Sequence, residues 1–271
     1  MKSAKRKLAF VLAASSHGTL IVNRFDYQMT SANSGFGVGF QILEGASFDP
    51  EEVAIAVSLL SLRRQYFGDG VVAIDCGANI GVHTIEWAVA MTGWGSVLAI
   101  EAQERIFYAL AGNIALNNCF NARALHAAVT ARDGTLRVPS PDYQRPGSFG
   151  SLELRQRPSN EFIGQAIDYS DGALYEIKTV ALDSLGLSRV DLIKIDVEGM
   201  ELEVLAGASA ALASCRPVIL IEWIKSTKPP LMRFFASLDY MVFEAGINLI
   251  AVHKDDRCLG HVQQGGPNRP S

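Results

Sequence analysis

The amino-acid sequence predicts an α/β fold in which helices flank a mostly parallel β-sheet, with an α/β extension at the N-terminus. Two observations support this prediction. Short apolar runs rich in β-branched residues alternate with helical segments, as in βαβ units. Several of these runs end in an acidic residue, the first at Asp75 after residues 71–74. Because the carboxyl ends of parallel strands share one edge of a sheet, these acids are expected to line one cleft.

Length and composition fit one large domain of this kind. The chain has 271 residues, of which 49% are hydrophobic and 19% charged, enough for a sizeable core. Its formal net charge of −4 provides no basic field that would attract nucleic acid. No apolar run reaches about 18 residues, so we expect no membrane span. The 4 cysteines are far apart and form no CxxC pair, which indicates reduced thiols and favours a cytoplasmic location.

The chain is expected to have three regions. Residues 1–70 form an accessory segment, residues 71–256 form the ligand-binding domain, and residues 257–271 form a flexible tail. The start of the accessory segment allows two interpretations. Its basic residues 2–7, followed by the apolar residues 8–14, resemble the first two regions of a signal peptide. The alternative is a basic first turn that leads into an amphipathic helix.

Within the accessory segment, we expect strands at residues 19–23 and 38–43. A helix should follow from Pro50, because proline is favoured at the first helical position. Asp49 is expected to be the N-cap of this helix, with Glu52 three residues after it.

The stretch from Asp75 to Thr84 has the pattern of a strand end, a tight turn and a helix start. Gly77 and Gly81 permit a sharp turn and a close approach of a ligand to the backbone. Ala78 lies between them, and Asn79 is expected to cap the following helix. The free N–H groups of a helix N-terminus would then face the ligand.

The glycine spacing separates the ligand classes that use such a turn. A dinucleotide fingerprint requires glycine at its first, third and sixth positions, which here hold Gly77, Asn79 and Val82. A phosphate-binding P-loop requires Gly-Lys-Ser/Thr, which the chain lacks. The pattern suits a zwitterionic ligand with an ammonium group better than a polyphosphate. An ordinary βα turn with two structural glycines is the alternative.

A second predicted strand, residues 97–100, ends in Glu101, 26 residues after Asp75. A carboxylate at this position can accept hydrogen bonds from both hydroxyls of a ribose. The alternative is a solvated loop glutamate, but the parallel with Asp75 favours the binding role.

A long irregular insertion follows a third strand near residues 122–129 and a predicted hairpin at residues 131–138. Residues 139–171 are rich in Pro, Ser and Gly. Such an insertion in a compact domain is typical of a binding loop or lid. Ser148, near its centre, is therefore a candidate substrate contact.

The last informative stretch begins with a strand at residues 190–195. Period-two alternation puts Lys194 and Asp196 on the same side of this strand, and Glu198 lies just beyond its end. A lysine inside a parallel strand is costly unless it is paired, so its presence indicates a site, although a buried structural ion pair is the alternative. A fifth strand, near residues 217–223, contains Glu222 at its carboxyl end.

These motifs resemble the FkbM family of S-adenosylmethionine-dependent methyltransferases. The resemblance covers roughly residues 71–253, and the Lys-x-Asp-Val-Glu-Gly segment from Lys194 is its most specific part. The matching stretches are residues 75–84, 113–117, 182–185, 193–208 and 217–222. One departure is Ala102, where such proteins commonly have proline after the acidic residue. This departure affects the detail of the turn and leaves the ribose role of Glu101 intact.

The resemblance implies a class I methyltransferase fold, which is a Rossmann-like, doubly wound, mostly parallel seven-stranded sheet. Its last two strands should form a hairpin, for which residues 240–244 and 247–253 are suited. The implied activity is O-methylation of a hydroxyl of a sugar, a polyketide or another small metabolite, with S-adenosylmethionine as cofactor.

The resemblance and the requirements of methyl transfer together assign roles to the candidate residues. The protein must align a nucleophilic oxygen and remove its proton. Asp196 is the first candidate for the general base and Glu222 the second, and Lys194 would favour the anionic form of a neighbouring group. Substrate contacts are expected from His83, Ser148 and Glu198. The cofactor-binding residues are expected to be Asp75, Gly77, Ala78, Asn79, Gly81, Thr84, Glu101, Ala102 and Asp196.

Other hypotheses stay open at this point. A dinucleotide-dependent oxidoreductase would share the sheet, although the glycine spacing opposes it. A non-catalytic nucleotide-binding protein would keep Asp75 and Glu101 without needing Lys194. The carboxylates can also bind Mg²⁺, but no ligand set is clear enough to predict a metal. We expect a hydroxyl-bearing small molecule as partner and no nucleic acid; a dimer is possible.

Overall fold

The computed structural model describes residues 7–31 and 34–264 of the chain. The accessory segment forms two antiparallel hairpins and two helices. The predicted strand at residues 19–23 and the predicted helix from Pro50 are both confirmed. The elements of this segment are β1 (Phe10–Ser15), β2 (Gly18–Asn23), β3 (Gln28–Met29), β4 (Gly35–Phe36), α1 (Val38–Gly45) and α2 (Pro50–Phe67).

Two predictions for this segment are wrong. Residues 38–43 were expected to be a strand but belong to helix α1, in which Val38 and Ile42 are buried one turn apart. A short apolar run does not distinguish the two periodicities. The helix interpretation of residues 8–14 is also wrong, because residues 10–15 form strand β1. The basic residues before Lys7 lie outside the described residues.

Asp49 precedes helix α2 but does not cap it with its side chain. Its backbone is left-handed, with φ of 40°, and its carboxylate makes no capping hydrogen bond. A capping side chain requires an extended backbone at this position, so the prediction for Asp49 is wrong.

The remaining elements build the sheet domain. In chain order they are β5 (Val71–Cys76), α3 (Val82–Ala90), β6 (Gly95–Glu101), α4 (Glu104–Leu116), β7 (Ala122–His126), β8 (Ala128–Val129), β9 (Gly134–Val138), β10 (Tyr175–Val180), β11 (Leu192–Ile195), α5 (Glu201–Ala206), α6 (Ser209–Cys215), β12 (Val218–Glu222), α7 (Lys228–Ser237), β13 (Tyr240–Ala245), β14 (Asn248–His253) and α8 (Leu259–Gln264).

The main sheet has seven strands in the order β13-β14-β12-β11-β5-β6-β7. Strands β12, β11, β5, β6 and β7 are parallel, and β14 pairs antiparallel with both neighbours. Successive residues of β5 face two different apolar cores. Val71 and Ala73 pack in the core that contains α2 and α3, whereas Ile74 and Cys76 pack in the core that contains α5 and α7. The predicted doubly wound sheet with a final hairpin is therefore confirmed.

The hairpin predicted at residues 131–138 is wrong, because β9 belongs to a smaller three-stranded sheet. Strand β9 pairs antiparallel with β10, and β10 lies between β8 and β9. The strand predicted at residues 122–129 is divided between the two sheets. Helices α5 and α6 are separated at Gly207, where a Cβ atom would lie 2.2 Å from the backbone oxygen of Thr130.

The accessory segment and the sheet domain share one core. Leu20 and Val22 of β2 belong to the same buried cluster as Val71 of β5. At the other end, residues 257–264 were expected in a flexible tail, but they contain α8 and the fully buried Cys258. Residues 265–271 lie outside the described residues. None of the described helices combines the length and apolar character that crossing a membrane requires.

Candidate active site

A cavity of about 480 Å³ lies at the carboxyl ends of β5, β6, β11 and β12. Its floor consists of the strand-tip residues Gly77, Ala78, Asn79, Glu101, Ala102, Lys194, Asp196, Glu198 and Glu222. Its roof comes from two other parts of the chain. These are residues 36–49 of the accessory segment and residues 148–154 of the insertion, of which several line the cavity.

The turn after β5 requires its glycines. Gly77 has φ of 80°, and a Cβ atom there would lie 1.7 Å from the backbone oxygen of Asp196. Gly81 has φ of 91°, and its Cβ atom would lie 2.6 Å from Leu110 Cδ1. Both positions combine a left-handed backbone with a close contact, so only glycine fits without displacement of its neighbour. The turn can therefore bring its backbone close to the tip of β11.

Asp75 and Thr84 lie below the floor. Asp75 is only 1% exposed, and its Oδ2 accepts a hydrogen bond of 2.6 Å from Thr84 Oγ1. Neither residue is among those that line the cavity, and Gly81 is also absent from the lining. Their direct contact with a cofactor stays a prediction; in the structure, the hydrogen bond between Thr84 and Asp75 connects the start of α3 to the end of β5. Asp75 Oδ1 is buried without a hydrogen-bond partner among the described residues.

Asn79 lines the cavity but does not cap helix α3. The helix begins at Val82 after Gly81, without a side-chain cap. Asn79 Oδ1 instead accepts a 2.7 Å hydrogen bond from the Ile80 N–H, and the Asn79 N–H donates 2.9 Å to Glu101 Oε2. The predicted cap is wrong because Asn79 has a positive φ of 50° and its amide stabilises the turn itself.

Glu101 is a buried carboxylate at the tip of β6. Its Oε1 accepts a 2.7 Å hydrogen bond from the Gln103 N–H, and its Oε2 accepts from Asn79. Burial raises the pKa of Glu101 to about 7, although these backbone hydrogen bonds oppose the rise. An apolar slot adjoins it, lined by Ala102, Ala128 and Met200. A carboxylate beside an apolar slot can hold a polar ring substituent while the ring itself is buried.

Lys194 and Asp196 meet as the alternation of the strand predicts. Lys194 Nζ lies 3.0 Å from Asp196 Oδ2, and the Lys194 side chain is 7% exposed. Burial alone would lower the pKa of Lys194, but the carboxylates of Asp196, Glu52 and Asp75 raise it above its ordinary value. The lysine therefore stays charged in the floor of the cavity.

Glu198 and Glu222 join Asp196 in a cluster of acids. One carboxylate oxygen from each lies within 4.8 Å of the others, a set that suits a divalent cation and that sequence spacing did not single out. Burial and the charge of Asp196 raise the pKa of Glu222 to about 9 and that of Glu198 to about 8. Lys225 opposes the shift at Glu198, because its Nζ lies 2.7 Å from Glu198 Oε2.

His83 lines the cavity next to residues that the sequence analysis did not single out as site residues. Its Nε2 lies 3.2 Å from Glu52 Oε1, and Glu52 Oε2 accepts a 2.6 Å hydrogen bond from Asn248. Although burial opposes it, the contact with His83 and the charge of Lys194 lower the pKa of Glu52 to about 2. Asp49 also lines the cavity. No local pattern marks Glu52 or Asp49 as site residues, because their proximity depends on how α2 packs.

Ser148 lies in the wall formed by the insertion. It is 3% exposed, and its Oγ lies 3.0 Å from Ser151 Oγ. The floor residues that line the cavity and Ser148 are thus brought together, whereas Asp75, Gly81 and Thr84 stay below.

Residues 75–245 match the sequence model of the family described as the methyltransferase FkbM domain. This match spans more than half of the chain and includes every floor residue. The chain belongs to the FkbM methyltransferase family. The order of the seven strands, with one reversed strand in the final hairpin, is that of the class I methyltransferase fold.

Two curated relatives are fungal methyltransferases. Methyltransferase sdnD from Sordaria araneosa is 29% identical over 153 residues, which cover 49% of this chain and 59% of the relative. Methyltransferase 1 from Beauveria bassiana (strain ARSEF 2860) is 26% identical over 151 residues, which cover 52% of this chain and 59% of the relative. The chain thus spans about three fifths of the length of these relatives.

Similar solved structures include two methyltransferases. Methyltransferase FkbM from Methylobacillus flagellatus KT is 18% identical, with a TM-score of 0.47 over 69% of this chain and 46% of that chain. Precorrin-6y C5,15-methyltransferase from Geobacter metallireducens GS-15 is 16% identical, with a TM-score of 0.43 over 77% of this chain and 89% of that chain.

Proposed function

We propose that the protein uses S-adenosylmethionine to methylate a hydroxyl oxygen of a small molecule, such as a sugar or a polyketide. One observation carries the proposal. The most specific motif of the family, from Lys194 to Glu198, lies in the floor of a cavity that also contains the Gly77 turn and Glu101. The cavity thus combines groups for binding a nucleoside with groups that can transfer a proton.

The residues of the floor fit this cofactor. A Cβ atom at Gly77 would lie 1.7 Å from the Asp196 backbone oxygen, so only glycine lets this turn pack against β11, and the backbone of residues 77–79 lines the cavity where the amino-acid part of the cofactor would bind. Each oxygen of Glu101 has a lone pair left after its backbone hydrogen bond, which allows it to accept from ribose hydroxyls. The slot beside Ala102 and Met200 suits the adenine ring. The bound cofactor would supply an electrophilic methyl group.

The residues near the acceptor must orient a hydroxyl and take its proton. Asp196 is engaged by Lys194 at 3.0 Å, which reduces its capacity as a base. Within the described part of the chain, the backbone of Glu222 pairs with Asn248 in the sheet, but its carboxylate takes part in no hydrogen bond or ion pair. Burial and the charge of Asp196 raise its pKa to about 9, so its ionised form, which is the minor form at neutral pH, is a stronger base than an ordinary carboxylate. We therefore assign the general base to Glu222 and a positioning role to the Lys194–Asp196 pair, which reverses the order expected from the sequence.

His83 and Glu198 remain proposed contacts of the acceptor. Both line the cavity, and His83 Nε2 lies 3.2 Å from the Glu52 carboxylate. The cytoplasmic location and the absence of nucleic acid as a partner also remain predictions, as do the domain boundaries at residues 70 and 256.

Binding and turnover can be tested separately. We expect the purified protein to bind S-adenosylhomocysteine in calorimetric titration and to show no heat with NAD. Methyl-labelled S-adenosylmethionine is then incubated with a methyl glycoside, a phenol and a macrolactone. Label in an alkali-stable methyl ether supports O-methylation. Binding without label transfer to any of these would favour the non-catalytic alternative, and binding of NAD alone would favour the oxidoreductase.

The assignment of the base is tested by two amide variants. With an acceptor that takes label, Glu222→Gln is expected to lower kcat at least 100-fold, within the range for loss of a general base. Asp196→Asn should lower kcat less and raise KM for the acceptor. The reverse order of effects would return the role to Asp196.

A further inference from the structure

A short turn of the insertion covers the cavity directly above the Gly77 turn. This roof turn is the 3₁₀ turn Phe149–Ser151. Phe149 is fully buried, and Gly150 and Ser151 line the cavity. A Cβ atom on Gly150 would lie 3.0 Å from Asn79 Nδ2, so the roof turn approaches the floor closely. The distance between the roof turn and the floor therefore limits what can bind between them.

Side chains from three distant parts of the chain bind the backbone of the roof turn. The Phe149 N–H donates to Asp26 Oδ1 at 2.9 Å. Gln103 Nε2 donates to the Phe149 carbonyl at 2.8 Å, and Lys225 Nζ donates to the Ser151 carbonyl at 2.7 Å. Asp26 belongs to the accessory segment, Gln103 follows β6, and Lys225 follows β12. The three bonds therefore hold one short turn from three directions.

Each of the three side chains is itself fixed by a second contact. Asp26 Oδ2 accepts a 3.0 Å hydrogen bond from the Gly39 N–H in helix α1. Gln103 Oε1 accepts a 3.0 Å hydrogen bond from the Tyr143 hydroxyl. Lys225 Nζ also contacts Glu198 Oε2 at 2.7 Å, which connects the roof turn to the acidic cluster.

The burial of these groups is costly. Asp26 is 2% exposed, Gln103 is 6% exposed, and the side chain of Lys225 is 11% exposed. Removing such groups from water is unfavourable unless each is fully paired. Ordinary surface loops do not need three buried polar anchors. The burial of three such groups therefore indicates that the exact position of the roof turn matters for ligand binding.

We propose that Asp26, Gln103 and Lys225 are positioning residues for the cofactor, which they serve by holding the roof turn at a fixed distance above residues 77–79. The nucleoside part of the sulfonium cofactor binds between this turn and the strand tips. The inference rests on the proposed function, since it concerns the same cavity. Because all three residues act on one turn, losing a second of them should cost less than losing the first.

The test measures affinity for S-adenosylhomocysteine by calorimetry, together with the thermal midpoint of each cofactor-free protein. Gln103→Met and Lys225→Met remove one anchor each with little change in side-chain length. We expect each to raise Kd about tenfold, as for loss of one buried hydrogen bond. The double variant should raise Kd less than the product of the two. Lys225→Arg keeps a donor and should recover most of the affinity.

Lys228→Met is the matched control, because Lys228 is the first residue of the neighbouring helix α7 and pairs with the exposed Glu244. Its Kd should equal that of the wild type. A purely structural role would lower the thermal midpoint of the anchor variants and leave Kd within twofold of the wild type, which would overturn the proposal. Failure of the wild type itself to bind S-adenosylhomocysteine would instead refute the proposed function. Gln103 and Lys225 contact the roof turn and do not belong to the apolar cores, so both single variants are expected to fold. Asp26→Asn provides a third measurement of Kd.

Discussion

The floor and the roof of the cavity are held together in different ways. The floor follows from the strand ladder, in which Lys194 is paired with Asp75 and Ile195 with Cys76 in register. The roof depends on side chains that bind backbone groups far away in sequence, such as Asp26 and Phe149, which are 123 residues apart. The positions of the floor residues therefore follow from regular strand pairing, whereas the position of the roof depends on individual hydrogen bonds between side chains and distant backbone groups.

The comparison also separates two kinds of energetic cost. In the floor, acids are buried close together, and the pKa values of Glu101, Glu198 and Glu222 rise as a result. In the roof, burial also raises the pKa of Asp26, to about 6, but its carboxylate accepts hydrogen bonds from the N–H groups of Phe149 and Gly39, which oppose the rise. The carboxylate of Glu222 has no such partner among the described residues, and perturbed acids in a cleft are typical of functional sites.

The largest expected effect comes from the floor, at Gly77. In Gly77→Ala the new Cβ atom would lie 1.7 Å from the backbone oxygen of Asp196, so the turn must move away from β11. We expect loss of S-adenosylhomocysteine binding beyond 100-fold, measured by calorimetry. Gly93→Ala is the control, because Gly93 has nearly the same φ of 82° but no neighbour within 4 Å. Equal effects of the two variants would mean that backbone strain, and not the close approach, explains the glycine.

The next effect tests how the accessory segment is attached. Arg63 of α2 is 5% exposed at its side chain and pairs with the buried carboxylates of Asp191 and Asp256. Arg63→Met leaves the buried carboxylate of Asp256 without its ionic partner, whereas Asp191 keeps its pair with Arg189, so the free energy of unfolding should fall by about 3 kcal/mol. Urea denaturation measures it. Arg64→Met, which alters an exposed pair with Asp69, should cost less than about 1 kcal/mol. A small loss of stability in Arg63→Met would show that the ion pairs of Arg63 are not what attaches α2 to the sheet domain.

A moderate effect concerns pH and the floor. Burial and Asp196 raise the pKa of Glu222 from 4.5 to about 9 in the folded protein. The folded state therefore keeps a proton that the unfolded state releases. The resulting stabilisation is complete below about pH 4.5 and is lost as pH rises through about 9. Glu222→Gln should flatten this decline in urea denaturation of the cofactor-free protein, whereas the exposed Glu51→Gln should leave it unchanged. An unaltered slope in Glu222→Gln would contradict the shift.

The smallest effect distinguishes a cap from a cavity residue at Asp49. Its carboxylate makes no capping bond and its backbone is left-handed. Asp49→Gly should therefore change the free energy of unfolding by only a few tenths of a kcal/mol, because glycine adopts this backbone without strain. Asp49→Ser keeps a side chain that can cap a helix and would be nearly neutral at a true N-cap, but at this left-handed backbone it should cost about 1 kcal/mol. Thermal unfolding of both variants decides between the two, and a neutral Asp49→Ser would restore the capping role.

The sequence predicted the sheet, its final hairpin and the pairing of Lys194 with Asp196. The alternation of strands and helices and the pairing of Lys194 with Asp196 depend on short-range periodicity, whereas the final hairpin was implied by the resemblance to the FkbM family. Local pattern failed at Asn79, whose side chain accepts a hydrogen bond from the Ile80 N–H, and at Asp49, whose left-handed backbone makes no side-chain cap. It also failed at residues 38–43, where a short apolar run fits either a strand or a helix.

By itself, the sequence determined which residues would stand at the strand tips, because alternation and the ends of apolar runs depend on neighbouring residues alone. Only the tertiary structure decided which of them line the cavity and which, like Asp75, support it from below. It also decided what covers them, since the anchors Asp26, Gln103 and Lys225 lie far apart in sequence. The physical reason is that their partners are backbone groups, which every residue has and which no sequence pattern can distinguish.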